Sequence, residues 1–134
     1  MKKILIAVFL LALIGVGTGI YLFNKKPETV DDKKGLTITA TALSKAYTDN
    51  EAQSDSMYLN KVIEVTGKIG STEHNQDGGL MVILESGAPD TDIQCTMREK
   101  GVKVATGQTV TIKGFCSGSG ITGVSLTDCI LTQQ

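Results

Sequence analysis

Val62-Ile63-Glu64-Val65-Thr66-Gly67-Lys68-Ile69 sets apolar side chains (Val62, Ile63, Val65, Ile69) against polar ones (Glu64, Thr66, Lys68), with Gly67 breaking the run. A period of two is the mark of a strand with one face in a core. The interior glycine predicts a strand bent where a sheet turns a corner. Four further runs follow: Leu80 to Glu85 is almost continuously apolar, Asp92 to Met97 places Ile93, Cys95 and Met97 on one face, and Thr109 to Phe115 and Val124 to Leu131 complete the set. Gly70 to Gly79 reads as a polar loop after the first strand, and Arg98 to Gly107 as a connection holding a short helical turn. Five strands this short do not cover both faces of a sandwich, whereas closure into a barrel removes the exposed edges.

Three strands, a short helix and two strands is the order of an OB-fold, so the predicted domain is mainly β, a five-stranded OB-fold barrel. An amphipathic helix of about 15 residues is expected before it, capped by Thr39 or Thr41, its apolar side formed by Leu43, Ala46, Tyr47, Met57 and Tyr58 at helical spacing. The polar middle, Thr48 to Ser56, would face water while the helix lies across a barrel end or edge.

Outward from the domain, Ile4 to Phe23 holds 20 residues without a charge. At about 1.5 Å per residue this spans the roughly 30 Å hydrocarbon core as a transmembrane helix. A cleavable signal has a shorter apolar region ending in an Ala-x-Ala-like site, and none is evident; export after signal cleavage is the alternative. No cysteine lies just after the apolar stretch to accept a lipid. Lys2, Lys3 and the free amine, against Glu28, Asp31 and Asp32 beyond the helix, favour an N-terminus inside and a domain on the extracytoplasmic side. Gly15 and Gly19 form a small-xxx-small pair, read here as lipid-facing filler. The expected organisation is an anchor over residues 1–24, a charged linker over 25–36 containing Pro27, and the barrel with its leading helix over 37–134.

Tyr58 through Ile69, then Gln94-Cys95, then Gly107-Gln108-Thr109-Val110-Thr111-Ile112-Lys113-Gly114-Phe115-Cys116-Ser117-Gly118 and Val124-Ser125-Leu126-Thr127-Asp128-Cys129 resemble the tRNA-anti-like family of OB-fold proteins. The upstream Leu43-Ser44-Lys45-Ala46-Tyr47 and Asn50-Glu51 resemble that family's leading helix, so the resemblance runs from about Thr39 to Leu131. It implies a barrel behind a membrane anchor or signal, and it carries no catalytic motif.

Composition narrows the function. Four of the 13 basic residues flank the apolar segment, leaving nine against 14 acids, a net of −5 for the remainder. Phosphate backbones are held by clustered Lys and Arg, and bases by aromatic platforms. With one Arg, no Trp, three Tyr and three Phe, a nucleic-acid partner is disfavoured.

Cys95, Cys116 and Cys129 permit at most one disulfide. In a hairpin turning about Gly120, Cys116 would face Val124 and Cys129 would face Thr111, more than about 10 Å apart at 3.3 Å per residue. A Cys95–Cys129 bridge between neighbouring strands stays open, but buried thiols are the first expectation, and no Cys-x-x-Cys spacing suggests a metal or redox centre. His74, the sole histidine, sits among Glu73, Asn75, Gln76 and Asp77 and reads as a solvated loop residue. Asp77, Asp90 and Asp92 lack calcium-loop spacing. Ser117-Gly118-Ser119-Gly120 joins two strands and opens no helix, so it reads as a hairpin turn. No cofactor or metal site is expected.

OB-folds place ligands across their second and third strands, between the loops joining strands one to two and four to five. That geometry nominates Met81, Ile83, Gln94, Thr96, Lys113 and Phe115, between Gly70–Gly79 and Ser117–Gly123. The expectation is therefore a membrane-anchored, non-enzymatic binding module with a protein, peptide or glycan partner. Single-stranded nucleic-acid binding is the alternative and an enzyme the least favoured reading.

Overall fold

The computed structural model describes residues 1–24, 30, 34–88 and 90–133. Helix α1, Lys2–Phe23, buries no residue and is long and apolar enough to cross a membrane. Of the expected linker, residues 25–29 and 31–33 lie outside the described residues, while Val30 and Lys34 to Leu36 are described.

Strand β1 (Leu36–Thr39) leads into helices α2 (Ala40–Asp49) and α3 (Glu51–Tyr58), and then come β2 (Val62–His74), β3 (Leu80–Leu84), β4 (Asp92–Met97), β5 (Thr109–Gly120) and β6 (Gly123–Gln133). β2 through β6 close into a five-stranded barrel in the order β2-β3-β4-β6-β5, with β5 returning to β2, while β1 adds a sixth strand parallel to β2. β4 and β6 are also parallel, and the other barrel pairs are antiparallel. The interior is filled by inward positions of every strand, among them Ile63, Val65, Ile69, Val82, Leu84, Ile93, Ile112 and Leu126, with Leu43 and Tyr47 sealing it from α2.

β2 changes partner along its length. Val62 to Lys68 pairs with β5 and Ile69 to His74 with β3, and a register shift between Ile69 and Ser71 marks the corner. Gly67 stands just before it, and its missing side chain makes room for a helix: a Cβ there would lie 2.8 Å from Ala40 Cβ and 3.4 Å from Leu84 Cβ. α2 can therefore start against the sheet.

The structure corrects several expectations. The segment read as a loop from Gly70 is strand as far as His74, and the turn is confined to Asn75–Gly79, where the Asn75 side chain accepts from the backbone N–H groups of Asp77 and Gly79. Ser71 to His74 are exposed on both faces, so ladder hydrogen bonds to β3 hold them and no apolar alternation announces them.

The leading helix is broken at Asn50, whose extended backbone (φ −160°) ends α2 while its side chain accepts from Gln53 N–H to cap α3. An Asn side chain competes with the helix for its own backbone donors and favours such caps. The break turns Met57 out to 48% exposure, although Tyr58 still reaches Tyr47 with ring centroids 6.3 Å apart. Thr39, not Thr41, caps α2.

No helical turn forms between Arg98 and Gly107, so the short helix of the expected order is absent there. The Ser117 to Gly120 segment belongs to β5, the two-residue turn being Ile121-Thr122, and Gly118 occupies a bulge at φ +91°. These bulges set Cys116 opposite Leu126, not Val124, and Cys129 lies over Gly114 instead of Thr111.

Asp128, at left-handed φ 52°, is clasped by Arg98, whose Nε and Nη2 each donate at 2.7 Å. It also accepts from the backbone N–H of Val30, a residue with no exposed surface. The Arg98 hydrogen bonds and charge, aided by Val30, hold the Asp128 carboxyl below its ordinary value of 3.8 against a smaller opposing effect of burial. A depressed carboxyl stabilises the fold fully above pH 3.8, and the contribution disappears as pH falls below that value through the folded one. Asp128→Asn, which tolerates the same backbone, is expected to cost under about 1 kcal/mol at neutral pH because the pair is about one-third exposed. Urea midpoints of the two proteins should converge below pH 3.8, and an unchanged gap there would refute the assignment.

Candidate functional site

Alternation along β3 and β4 sends Val82, Leu84, Ile93, Cys95 and Met97 inward, which leaves Met81, Ile83, Gln94 and Thr96 half-buried on the outer surface. Met81 lies directly opposite Thr96 and Ile83 opposite Gln94, positions where antiparallel side chains meet. Ser71 and Glu73 of β2 extend the patch on one side and Ser125 of β6 on the other. Four of the nominated residues thus form one surface.

Lys113 and Phe115 do not join it. They project from β5, which β6 separates from β4, and their neighbours are Glu64 and Val62 of β2 and Ile130 and Thr127 of β6. The strand assignment was correct but the barrel's curvature divides the set.

At the end of the patch nearest the β5–β6 turn, Ile83, Asp90, Asp92, Gln94, Ile121 and Thr122 line a cleft of about 480 Å³. Gln94 Nε2 donates to Thr122 Oγ1 at 2.6 Å and fixes the turn to the sheet. Ile121 is 100% exposed at the tip, an unusual position for a large apolar side chain. The opposite wall is held by buried Ser86: its hydroxyl meets Ala88 O at 3.0 Å and Thr91 Oγ1 at 3.1 Å, while Asp92 Oδ1 accepts from Ser86 N–H at 3.2 Å. Asp90 stands exposed beyond this knot at φ 60°. The cleft therefore combines two carboxylates, two aliphatic side chains and an amide–hydroxyl pair.

In the sequence, Asp90 and Asp92 read as turn residues without calcium-loop spacing, and Ile121 is one unremarked position of the Ser117–Gly123 loop. An aliphatic residue between turn glycines, Gly120-Ile121-Thr122-Gly123, was the available signal. Asp77 lies apart, at the Asn75–Gly79 turn, where Lys100 Nζ donates to its backbone carbonyl. Among the described residues no group of three or more His, Cys, Asp and Glu is placed to hold a metal ion. His74 is exposed at the end of β2, opposite Leu80.

A second polar group lies beneath α2 and α3. Tyr47 Oη contacts Cys116 Sγ at 3.4 Å, and burial, the thiol and the nearby Asp55 carboxylate push the tyrosine hydroxyl far above its usual range, so it stays neutral. Asp55 Oδ1 is buried beside this hydroxyl, on which its carboxylate acts.

The sequence model of the tRNA_anti-like family matches residues 1–130. No curated protein matches the chain. Among solved structures, the "putative nucleic acid-binding lipoprotein" of Klebsiella pneumoniae subsp. pneumoniae is similar over 81% of this chain and 100% of its own, with a TM-score of 0.61 and 17% identity. A "putative aspartyl-tRNA synthetase" of Leishmania major is similar over 76% of this chain and 21% of its own, at a TM-score of 0.47 and 12% identity, too distant to carry an argument. Because 91 solved chains match, likeness at this level identifies the architecture and selects no ligand.

Proposed function

From the premise that this chain belongs to the tRNA_anti-like family, we propose that it is a non-enzymatic binding module, held at a membrane by α1, with its barrel on the extracytoplasmic side. The observation that carries the reading is the cleft on β3, β4 and the β5–β6 turn. Its carboxylates favour a cation, its isoleucines an apolar neighbour, and Gln94 and Thr122 add polar contacts. A polypeptide segment presenting a basic side chain beside an aliphatic one has that chemistry.

The anchor reading is supported by the length and composition of α1. The Klebsiella protein is a lipoprotein, whereas here the first cysteine is Cys95, deep in the barrel, which leaves the helix itself as the membrane attachment. Lys2 and Lys3 in the first turn of α1 support an N-terminus inside. In sealed vesicles whose outer surface corresponds to the extracytoplasmic side, added protease should remove the barrel; a protected barrel would reverse the topology.

Nucleic acid, which the Klebsiella neighbour's name invokes, meets Glu73, Asp90 and Asp92 along this face, and such charges repel phosphate. Fluorescence anisotropy of the full chain in detergent, with a labelled peptide of alternating Lys and Leu and with labelled oligothymidylate, separates the readings. The peptide should bind, and Asp90→Asn with Ile121→Ser should weaken it about tenfold or more. Salt-sensitive binding of the oligonucleotide without peptide binding would replace this reading with the nucleic-acid one.

A further inference from the structure

Where α2 packs on the barrel through Leu43 and Tyr47, a polar seam runs between the helix, the β3–β4 connection and the β5–β6 turn. The cleft on β3 and β4 is the outermost of three hollows along it. The next is a constriction of about 80 Å³, bounded by Ser44 and Thr48 of α2, Asp90 and Thr91 of the connection, and Ser119 and Gly120 at the turn. An inner hollow of about 270 Å³ follows, between α2 and the Ser86–Ala88 stretch, with Lys45 and Asp49 in its wall. Neighbouring hollows share residues: Asp90 borders both the cleft and the constriction, and Ser44 and Thr48 border both the constriction and the inner hollow.

Two properties of the seam limit what fits it. The first is hydrogen-bonding polarity. The Thr48 hydroxyl donates to Ser44 O at 2.9 Å and the Thr91 hydroxyl to Ala88 O at 3.2 Å, so each has only lone pairs left for a ligand. Asp90 adds a carboxylate, and Lys45, the cation of the inner hollow, is already paired with Asp49 at 2.7 Å. Walls of this kind suit a ligand rich in N–H donors. The second property is width. A cavity of roughly 150 Å³ admits a benzene ring, and the constriction, at about 80 Å³, has about half that volume, whereas the hollows on either side exceed it. A backbone with a small side chain can cross it, and a large side chain cannot. We infer that the seam holds an extended peptide in three parts: a basic residue with its aliphatic neighbour in the cleft, a Gly, Ala or Ser across the constriction, and a polar residue in the inner hollow. Backbone N–H groups of the peptide meet the acceptors of Thr48, Thr91 and Asp90. The inference rests on the peptide reading above and adds to it a required small residue beside the basic and aliphatic pair.

The test is fluorescence anisotropy of the full chain in detergent with labelled Lys-Leu-Gly-Ser-Ser, labelled Lys-Leu-Phe-Ser-Ser and the reversed sequence of each, since the groove can be threaded in either direction. In one direction the glycine peptide should bind at least about tenfold more tightly than its phenylalanine counterpart. Thr48→Trp, at an exposed position of α2, should fill the constriction and abolish that preference. Ser119→Trp fills it from the opposite wall and serves if Thr48→Trp does not fold. Equal affinities of the glycine and phenylalanine peptides in both directions, or a glycine preference that survives the tryptophan, would overturn this inference alone when the alternating Lys and Leu peptide still binds. Failure of every one of these peptides to bind would overturn it together with the peptide reading.

Discussion

Gly123→Ala is expected to remove at least about 3 kcal/mol of stability, enough to unfold a large share of a marginal domain. Two independent penalties act at this position. Its backbone sits at φ +124°, where any side chain is strained by about 1–3 kcal/mol. A Cβ built there also falls inside the contact radius of the Asp92 carbonyl oxygen, because Gly123 and Asp92 face each other where β6 enters the sheet beside β4. Relief requires parting the two strands at their first rung, since a backbone carbonyl has no rotamer to give. Gly120, opposite it across the turn, is the control: its nearest neighbour to an added Cβ is 3.9 Å away and its φ lies outside the left-handed region, so Gly120→Ala should stay within about 1 kcal/mol. Urea denaturation of both variants measures the contrast, and equal midpoints would refute it.

Gly67→Val is expected to cost about 2–4 kcal/mol by overpacking. The backbone does not demand glycine here; the space does, with Ala40 Cβ and Leu84 Cβ on the far side. The damage should fall first on α2, seen as lost amide protection over Ala40–Asp49 while β3 and β4 remain protected. In the milder Gly67→Ala background, Ala40→Gly should restore part of the loss, with a coupling of about 1 kcal/mol in a double-mutant cycle. Additive effects would mean that the glycine serves only the bend in β2.

That distinction shows what the sequence carries and what it withholds. Alternation at Val62–Val65 and at Ile93, Cys95 and Met97 reports one buried face, and with the strand order it is enough to identify the barrel. A period-two signal fades wherever a strand outruns the core, as Ser71 to His74 do, or rides outside it, as β1 does with its largely exposed residues. Gly67 was legible as special, but the partner that makes it so, Ala40, lies 27 positions earlier and belongs to tertiary structure. The candidate face was legible in β3 and β4 because alternation alone orients Met81, Ile83, Gln94 and Thr96. Lys113 and Phe115 share that outward orientation, yet closure carries them round to β5. The position of the hairpin depended on bulges at Gly118 and beside Asp128, which shift register without changing composition, and so Ile121 stayed hidden inside an assumed loop.

The capture of Val30 by Asp128 has a meaning for encounter rates. Val30 is only seven positions beyond Phe23 at the end of α1, a leash of at most about 25 Å when fully drawn out. On the proposed topology the barrel then samples a thin layer above the bilayer, and a partner fixed in the same membrane meets it by lateral diffusion. Confinement of that kind raises effective concentration toward the millimolar range. A Kd that looks feeble for a free peptide in solution would be ample for a partner sharing that membrane.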